Sequence, residues 1–396
     1  MRKTITAAAL AALLATGAAQ AQQADKIRIG GVFSVTGGGA VITFSALAGA
    51  KMAVAEINKS GGILGKQVEF VVADDRSDPT QTTMETRRLV QQENVQMLVG
   101  PIGSVTTLAS IPVLNEAKVA SIGVAQAPQL TPKFAPYQFT EVVATDEIAK
   151  VYVDQAVDVL KAKKLGLLMD NTAGQKALVV DIRAYAAKKG IPIVGEQEFD
   201  VNIGDMTAQV LALKRAGPDV LLHSSLSSRD AGTALKTLAD VGWDVPIIFS
   251  TSMAAGVAAV VQVAGPDSVK KDNVYAWDYK GLSYCQGDPL GATKAAQFIT
   301  RLKDFAGADF AKMSSTNAGW LYDAVYILKA AAEGAGSTEG PKMAAWLESN
   351  AGKAQSVLGN LTGSPSNHFL LDSSSLTVVS HVAEVRADGL RRRGGC

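Results

Sequence analysis

From Lys26 onward, short runs of β-branched and apolar residues alternate with stretches whose apolar positions recur every three or four residues. Ile27–Phe33 (IRIGGVF) has the unbroken apolar character of a strand buried on both faces. A glycine-rich turn, Thr36-Gly37-Gly38-Gly39, follows it. Leu47, Ala50, Val54 and Ile57 then mark one face of a helix that starts near Ser45 and stops at Gly61-Gly62, where glycine accepts the left-handed cap. Val68–Ala73 reads as the second strand. Asp78-Pro79 opens the next helix, with an N-cap carboxylate and a proline at the first helical position. A strand at Val95–Val99, a helix from Ser104, a strand at Val119–Val124 and a loop at Pro128–Pro136 complete the first half.

The rhythm then restarts. Strands are predicted at Leu165–Met169, Ile191–Phe199, Asp219–His223 and Val245–Phe249, with helices at Ile148–Leu160 and Gln175–Lys189 and from Asp205 and Arg229. Strands alternating with helices imply an α/β fold of crossover units and parallel sheets covered on both faces. One sheet is possible; two of about five strands each fit the length better. Beyond a strand at Asn273–Trp277 come three helices with no strand between them, Ala292–Phe305, Asn317–Ala331 and Gly340–Ser349, and a last strand at Leu376–Val385. That ending predicts a chain that returns to an earlier domain, and so lobes built from discontinuous segments.

Composition narrows the function classes. Of 396 residues, 47% are apolar and 19% charged, which excludes disorder and supplies two cores. Lys+Arg 38 against Asp+Glu 37 gives +1, with no basic field for nucleic acid or anionic membrane. Met1–Ala21 combines Arg2 and Lys3, an apolar run from Ile5 to Ala15 and Ala19-Gln20-Ala21, the pattern of an export leader cleaved after Ala21; an uncleaved anchor is the alternative. No later stretch reads as a membrane span, so the mature chain is expected to be exported and soluble. Cys285 and Cys396 are the two cysteines. Cys396 ends an Arg391-Arg392-Arg393-Gly394-Gly395 tail expected to be disordered, so the two are expected to be unpaired or bridged to another molecule.

Chemical motifs are sparse. G-x-S-x-G, H-E-x-x-H, C-x-x-C and the P-loop pattern are absent. His223, His368 and His381 read as core or solvated histidines, and no cofactor or metal is implied. The cluster Asp74-Asp75-Arg76-Ser77-Asp78-Pro79 reads as turn and cap chemistry, since the calcium-loop glycine is missing. The informative stretch is Gly100-Pro101-Ile102-Gly103-Ser104-Val105-Thr106-Thr107, just beyond a strand's carboxyl end and opening a helix. Ligands of open α/β sheets sit there. Ser104, Thr106 and Thr107 offer hydroxyls, and the unpaired N–H groups of a first helical turn favour an anion. Ser104 as a simple helix cap is the competing reading.

Taken together, IRIGGVFSVTGGGA, GAKMAVAEINKSGGILGK with its INxxGGxxGK loop at Ile57–Lys66, DDxxDP at Asp74–Pro79, LVGPIGS at Leu98–Ser104, AQAPQLTP at Ala125–Pro132 and VLGNLTGSPSNHF at Val357–Phe369 resemble the leucine/isoleucine/valine-binding protein family, the type I periplasmic solute-binding proteins of ABC importers. The resemblance implies two Rossmann-like lobes with parallel central sheets, joined by a three-segment hinge and closing on a ligand. It implies lobes of residues 22–142 plus 280–371 and 143–279 plus 372–390, with 391–396 as a tail, and hinges near Phe139–Ala144, Val274–Tyr279 and Leu370–Ser374. It also implies a periplasmic location, permease subunits as partners and no enzymatic activity. Carried over by position, Ser104 would hold a ligand carboxylate beside Gly103 and Ile102, and Val124, Ala125 and Gln126 would add bonds. Ile42, Gly174, Ser225, Leu226, Arg229 and Ser252 would line the rest.

Three departures stand out. Gly174, within DNTAGQ, occupies the place of a tyrosine over the ligand. Thr251-Ser252-Met253 stands where an acidic residue would meet an α-ammonium. Ser77 and Gly103 replace the paired cysteines of some relatives. An α-ammonium closed into a cleft without a counter-charge is costly. The expected cargo is therefore a small carboxylate lacking an α-amine, aromatic, aliphatic or dicarboxylic, with Arg229 either pairing a second carboxylate or facing solvent. Alternatives are an amino-acid binder using an unexpected partner such as Asp278, a ligand-presenting sensor for a membrane receptor, and an exported hydrolase using Ser104.

Overall fold

The structure, a computed structural model, describes residues 26–394 and Cys396; the leader expected at 1–21 lies outside them. Its first half runs β1 (Ile27–Phe33), α1 (Ala40–Lys59), β2 (Val68–Asp74), α2 (Pro79–Gln91), β3 (Met97–Ile102), α3 (Ser104–Ala117), β4 (Ala120–Val124) and β5 (Gln138–Val143). These strands form a sheet in the order β12-β5-β4-β3-β1-β2, parallel throughout, with β12 (Phe369–Leu371) arriving from far along the chain. The second half runs α4 (Thr145–Asp154), β6 (Leu165–Asp170), α5 (Ala173–Lys188), β7 (Ile193–Phe199), α6 (Thr207–Ala216), β8 (Val220–Ser224), α7 (Ser228–Asp240), β9 (Ile247–Phe249), α8 (Thr251–Ala255), α9 (Val257–Ala264) and β10 (Val274–Tyr279). Its sheet has the order β13-β10-β9-β8-β6-β7, with β13 (Leu376–Ser380) alone antiparallel. Between them come β11 (Ser283–Tyr284), α10 (Lys294–Ala306), α11 (Ser315–Ala335) and α12 (Gly340–Asn350), which cover the first sheet.

The α/β architecture follows the hydrophobic pattern, with six strands per sheet instead of about five. The first sheet gains two strands that the sequence reading did not name: β5, six residues long, and β12, whose three residues are too few for periodicity to register. The last strand stops at Ser380, short of Val385, and the helix expected from Ser45 starts at Ala40. The helix expected over Ile148–Leu160 is α4, continued by a π-helical stretch at Gln155–Val159. The chain passes between sheets after Val143, Tyr279 and Leu371, at the three segments expected as hinges. Aromatics pack there: Tyr152 Oη donates to the His223 carbonyl at 2.7 Å and Trp320 Nε1 to Tyr279 Oη at 3.0 Å.

Two expectations are corrected. Length and hydropathy do pass α1 as a candidate membrane span, contrary to the sequence reading. In the fold α1 is a core helix laid along α11, so close that a Cβ on Gly49 would stand 1.9 Å from the Ala318 carbonyl oxygen. The tail is also not disordered: β14 (Arg391–Arg392) pairs in parallel with β11, and Cys396 is disulfide-bonded to Cys285 within the same chain. The sequence hid this because 111 residues separate the two cysteines. The acidic cluster behaves as turn chemistry: Asp78 caps α2 by accepting from Gln81 N at 2.8 Å, and Asp75 accepts from Ser34 Oγ at 2.7 Å and Ser77 N at 2.9 Å.

A buried acid pair ties the first crossover to the later helices. Asp323, on α11, accepts from Ser356 Oγ (2.6 Å), Val357 N (2.8 Å) and Leu358 N (3.2 Å), fixing the loop before β12. Glu141, on β5, is fully buried and faces it. Burial, and then the Asp323 charge, push the Glu141 carboxyl well above its ordinary range. Burial raises Asp323 to about 6, against which its donors pull. A carboxyl raised on folding takes up its proton more readily in the folded chain, so its contribution is complete at low pH and is lost as pH rises. Glu141→Gln, which keeps the neutral shape, is therefore expected to gain stability relative to the parent as pH goes from about 4.5 to 7.5. Urea unfolding across that range checks this; a constant difference would show that Glu141 does not carry the raised carboxyl.

Candidate ligand-binding site

With both sheet faces covered by helices, polar groups gather at the carboxyl edges of the parallel strands, where helix N-termini also point. In the first sheet that edge is centred on β3 and α3. Gly103 joins them at φ 105°, a left-handed-side conformation that a side chain would resist. This turn starts α3 at Ser104 with no side-chain cap and no acid in the first turn, so its leading N–H groups remain open. The Ser104 hydroxyl accepts from Gln126 N at 3.3 Å and, among the described residues, gives its own proton to no acceptor. It is thus a free donor at a positive helix end, which suits a carboxylate.

The neighbouring residues divide. Thr106 Oγ1 donates to the Ile102 and Gly103 carbonyls (2.9 and 3.1 Å) and Thr107 Oγ1 points back to the Pro101 carbonyl (3.3 Å), so these two hydroxyls brace the turn instead of offering themselves. Ile102 is half-buried and Gly103 exposed beside Ser104. Val124 and Ala125 are buried, and Ala125 N is spent on Thr140 Oγ1 at 3.0 Å. Gln126 uses its main-chain N–H on Ser104 and its side-chain amide on the Val143 carbonyl at 3.1 Å, leaving the amide oxygen. Ile42 is half-buried in the first turn of α1, at the same edge.

At the carboxyl edge of the second sheet, Gly174 opens α5 with nothing within 4 Å of where a Cβ would stand, so the place expected for a tyrosine is vacant. Ser225 is buried and donates to Asp230 Oδ2 at 2.6 Å, so its proton is already spent. Leu226 is 61% exposed, while its N–H goes to Asp170 Oδ2 at 2.8 Å. Arg229 is exposed and makes no ion pair among the described residues. Ser252 shares a 2.8 Å hydrogen bond with Ser250 Oγ. Asp278 is fully buried and already partnered, bonded to Arg391 Nη1 (3.1 Å) and Thr251 Oγ1 (3.3 Å).

Sequence reasoning missed two groups on this side. Asp230 Oδ1 and Gln175 Oε1 are buried without a donor, and burial raises the Asp230 carboxyl. The available signal was their place in the first turns of α7 and α5, directly after strands. No histidine stands ready to activate Ser104. His223 lies between Phe199 and Phe249 and is lowered to about 3 by burial, His368 bonds the Gln138 carbonyl, and His381 bonds Asp272.

Comparison with known proteins identifies the family and the fold. The family model described as periplasmic binding protein matches residues 26–380. An amino acid binding protein of Pseudomonas aeruginosa is 27% identical over 313 residues, 78% of this chain and 79% of that protein. Leu/Ile/Val-binding protein homolog 1 of Brucella suis is 28% identical over 369 residues, covering 91% and 92%. Among solved structures, the branched-chain amino acid transporter substrate binding protein LivJ of Streptococcus pneumoniae, in complex with isoleucine, aligns with TM-score 0.74 at 25% identity over 92% and 97% of the two chains. A solute binding protein of R. palustris in complex with 4-hydroxybenzoate aligns with TM-score 0.74 at 18% identity over 93% and 95%, a likeness of fold. The match over residues 26–380, on a fold of two mainly parallel sheets linked by three crossovers, shows that the chain belongs to the periplasmic binding protein family.

Proposed function

We propose that this chain captures a small carboxylate without an α-amino group between two lobes, 22–142 plus 280–371 and 143–279 plus 372–390, and delivers it to the permease subunits of an ABC importer. On this reading it works in the periplasm after cleavage beyond Ala21, and it does no chemistry on its cargo. The observation that carries the proposal is Ser104, whose free hydroxyl proton and adjoining open N–H groups of α3 form an anion seat. The opposite wall supports the missing amine: the acid expected for an ammonium is absent at Thr251-Ser252-Met253, and Asp278 behind it is already held by Arg391. Arg229, exposed and without an ion pair, is proposed to meet a second negative group on dicarboxylate cargo. Ligand contact with both lobes then shifts the hinge equilibrium toward closure.

An amino-acid cargo is the second reading. The names of the relatives favour it, and Asp230 Oδ1, which lacks a donor, is the group that would meet the ammonium.

Calorimetry and thermal shift on refolded, ligand-stripped protein separate the two. Benzoate, 4-hydroxybenzoate and succinate are set against leucine, isoleucine and valine. A true ligand at 100 times its dissociation constant adds about 2.7 kcal/mol of stability. Melting shifts with the amino acids and none with the plain acids would overturn the carboxylate reading. Ser104→Ala is expected to weaken the bound acid by about 1.5–3 kcal/mol, the worth of a hydrogen bond to a charge, while the unliganded melting point stays in place. Arg229→Gln should lower succinate affinity about tenfold relative to benzoate, since a bidentate charged pair is lost; equal losses would leave Arg229 as a solvent-facing residue.

A further inference from the structure

The family match ends at Ser380, yet the chain continues to Cys396, and this added segment is held to both sides of the hinge. It leaves the second sheet at β13. Arg386 stacks on Tyr284 at 4.0 Å and donates to the Asp288 carbonyl at 2.8 Å. Asp388 accepts from Gly291 N at 3.0 Å, and Gly389 lies against Ile299 of α10. These partners follow the second crossover and belong with the helices that cover the first sheet. The segment then turns back. Arg393 N donates to the Tyr284 carbonyl at 2.9 Å, and the next residue, Gly394, donates to the Val378 carbonyl of β13 at 2.7 Å. Two consecutive residues therefore hold opposite sides of the crossover. Between them and the core sits Arg391, which reaches Asp278 near the end of strand β10 and the carbonyls of Ala254 and Val382. Cys285–Cys396 closes the end covalently.

We propose that residues 381–396 form a fourth tie across the hinge, a strap latched by Arg391 on Asp278 and locked by the Cys285–Cys396 disulfide, which limits how far the two sheets part. Three crossover strands leave rotation free about their common line, whereas a strap bonded on both sides of the crossover resists that rotation. Hydrogen bonds tolerate only a few tenths of an ångström before weakening, so the strap holds the ligand-free protein to a narrower range of opening. Disulfides persist in oxidising compartments; an external dithiol that reduces Cys285–Cys396 to two thiols, and is itself oxidised to a disulfide, would convert the locked strap into a releasable one. This inference rests on the tail and the crossovers and needs no particular cargo.

The test uses the full mature chain without ligand, oxidised and after reduction with a phosphine, read by amide hydrogen exchange and small-angle scattering. Reduction, or Cys396→Ser, is expected to speed exchange at least tenfold around Val143, Tyr279–Leu282 and Leu371–Leu376 and to raise the radius of gyration. Arg391→Gln with the disulfide intact should shift both in the same direction by less, and Arg391→Lys should recover part of it. Should Cys396→Ser fail to fold, reduction of the parent protein still gives the answer. Faster exchange confined to 381–396 with an unchanged radius would overturn the strap and leave a local staple.

Discussion

Everything in this molecule follows from covering both faces of two parallel sheets. A parallel strand must be returned to its starting edge by a helix, and those helices bury the faces and leave only the strand ends open. The carboxyl ends collect loop backbone, helix N-termini and short polar side chains, while the amino ends collect none of these advantages. Ser104, Gly174, Ser225, Arg229 and Ser252 come from four different strand–helix junctions, and they lie at strand ends because the topology permits few other places.

Sequence pattern captured the strand–helix alternation well, because buried parallel strands are apolar without interruption and their helices carry a repeating apolar face. It also captured the return of the chain, since three successive helices with no strand cannot complete a sheet of their own. It failed where a signal was too short or too distant. β12 is three residues long, and the pairing of β11 with β14 joins two-residue pieces from far apart. The tail was misread for a related reason. A run of arginines resembles a solvated end until it is seen that Asp278, a buried carboxylate, requires a cation beside it.

The candidate site was legible in part. Ser104 stood out because a glycine, a strand end and a helix start coincide there. The roles of its neighbours were not readable, since hydroxyls at adjacent positions of a helical turn point in different directions. Thr106 and Thr107 return to the backbone, whereas Ser104 faces outward. Ser225, likewise expected to line the site, spends its hydroxyl on Asp230. Spacing fixes which junction a residue occupies; the rotamer decides whether its polar atom is still available.

Gln126 has one main-chain N–H on the serine of the anion seat and one side-chain N–H on Val143, where the chain leaves the first sheet. On the proposed reading, a single residue thus links the carboxylate seat to the first crossover. Substituting Gln126 would then disturb grip and swing together, so that a firmer hold through this shelf would bring slower release as the lobes reopen.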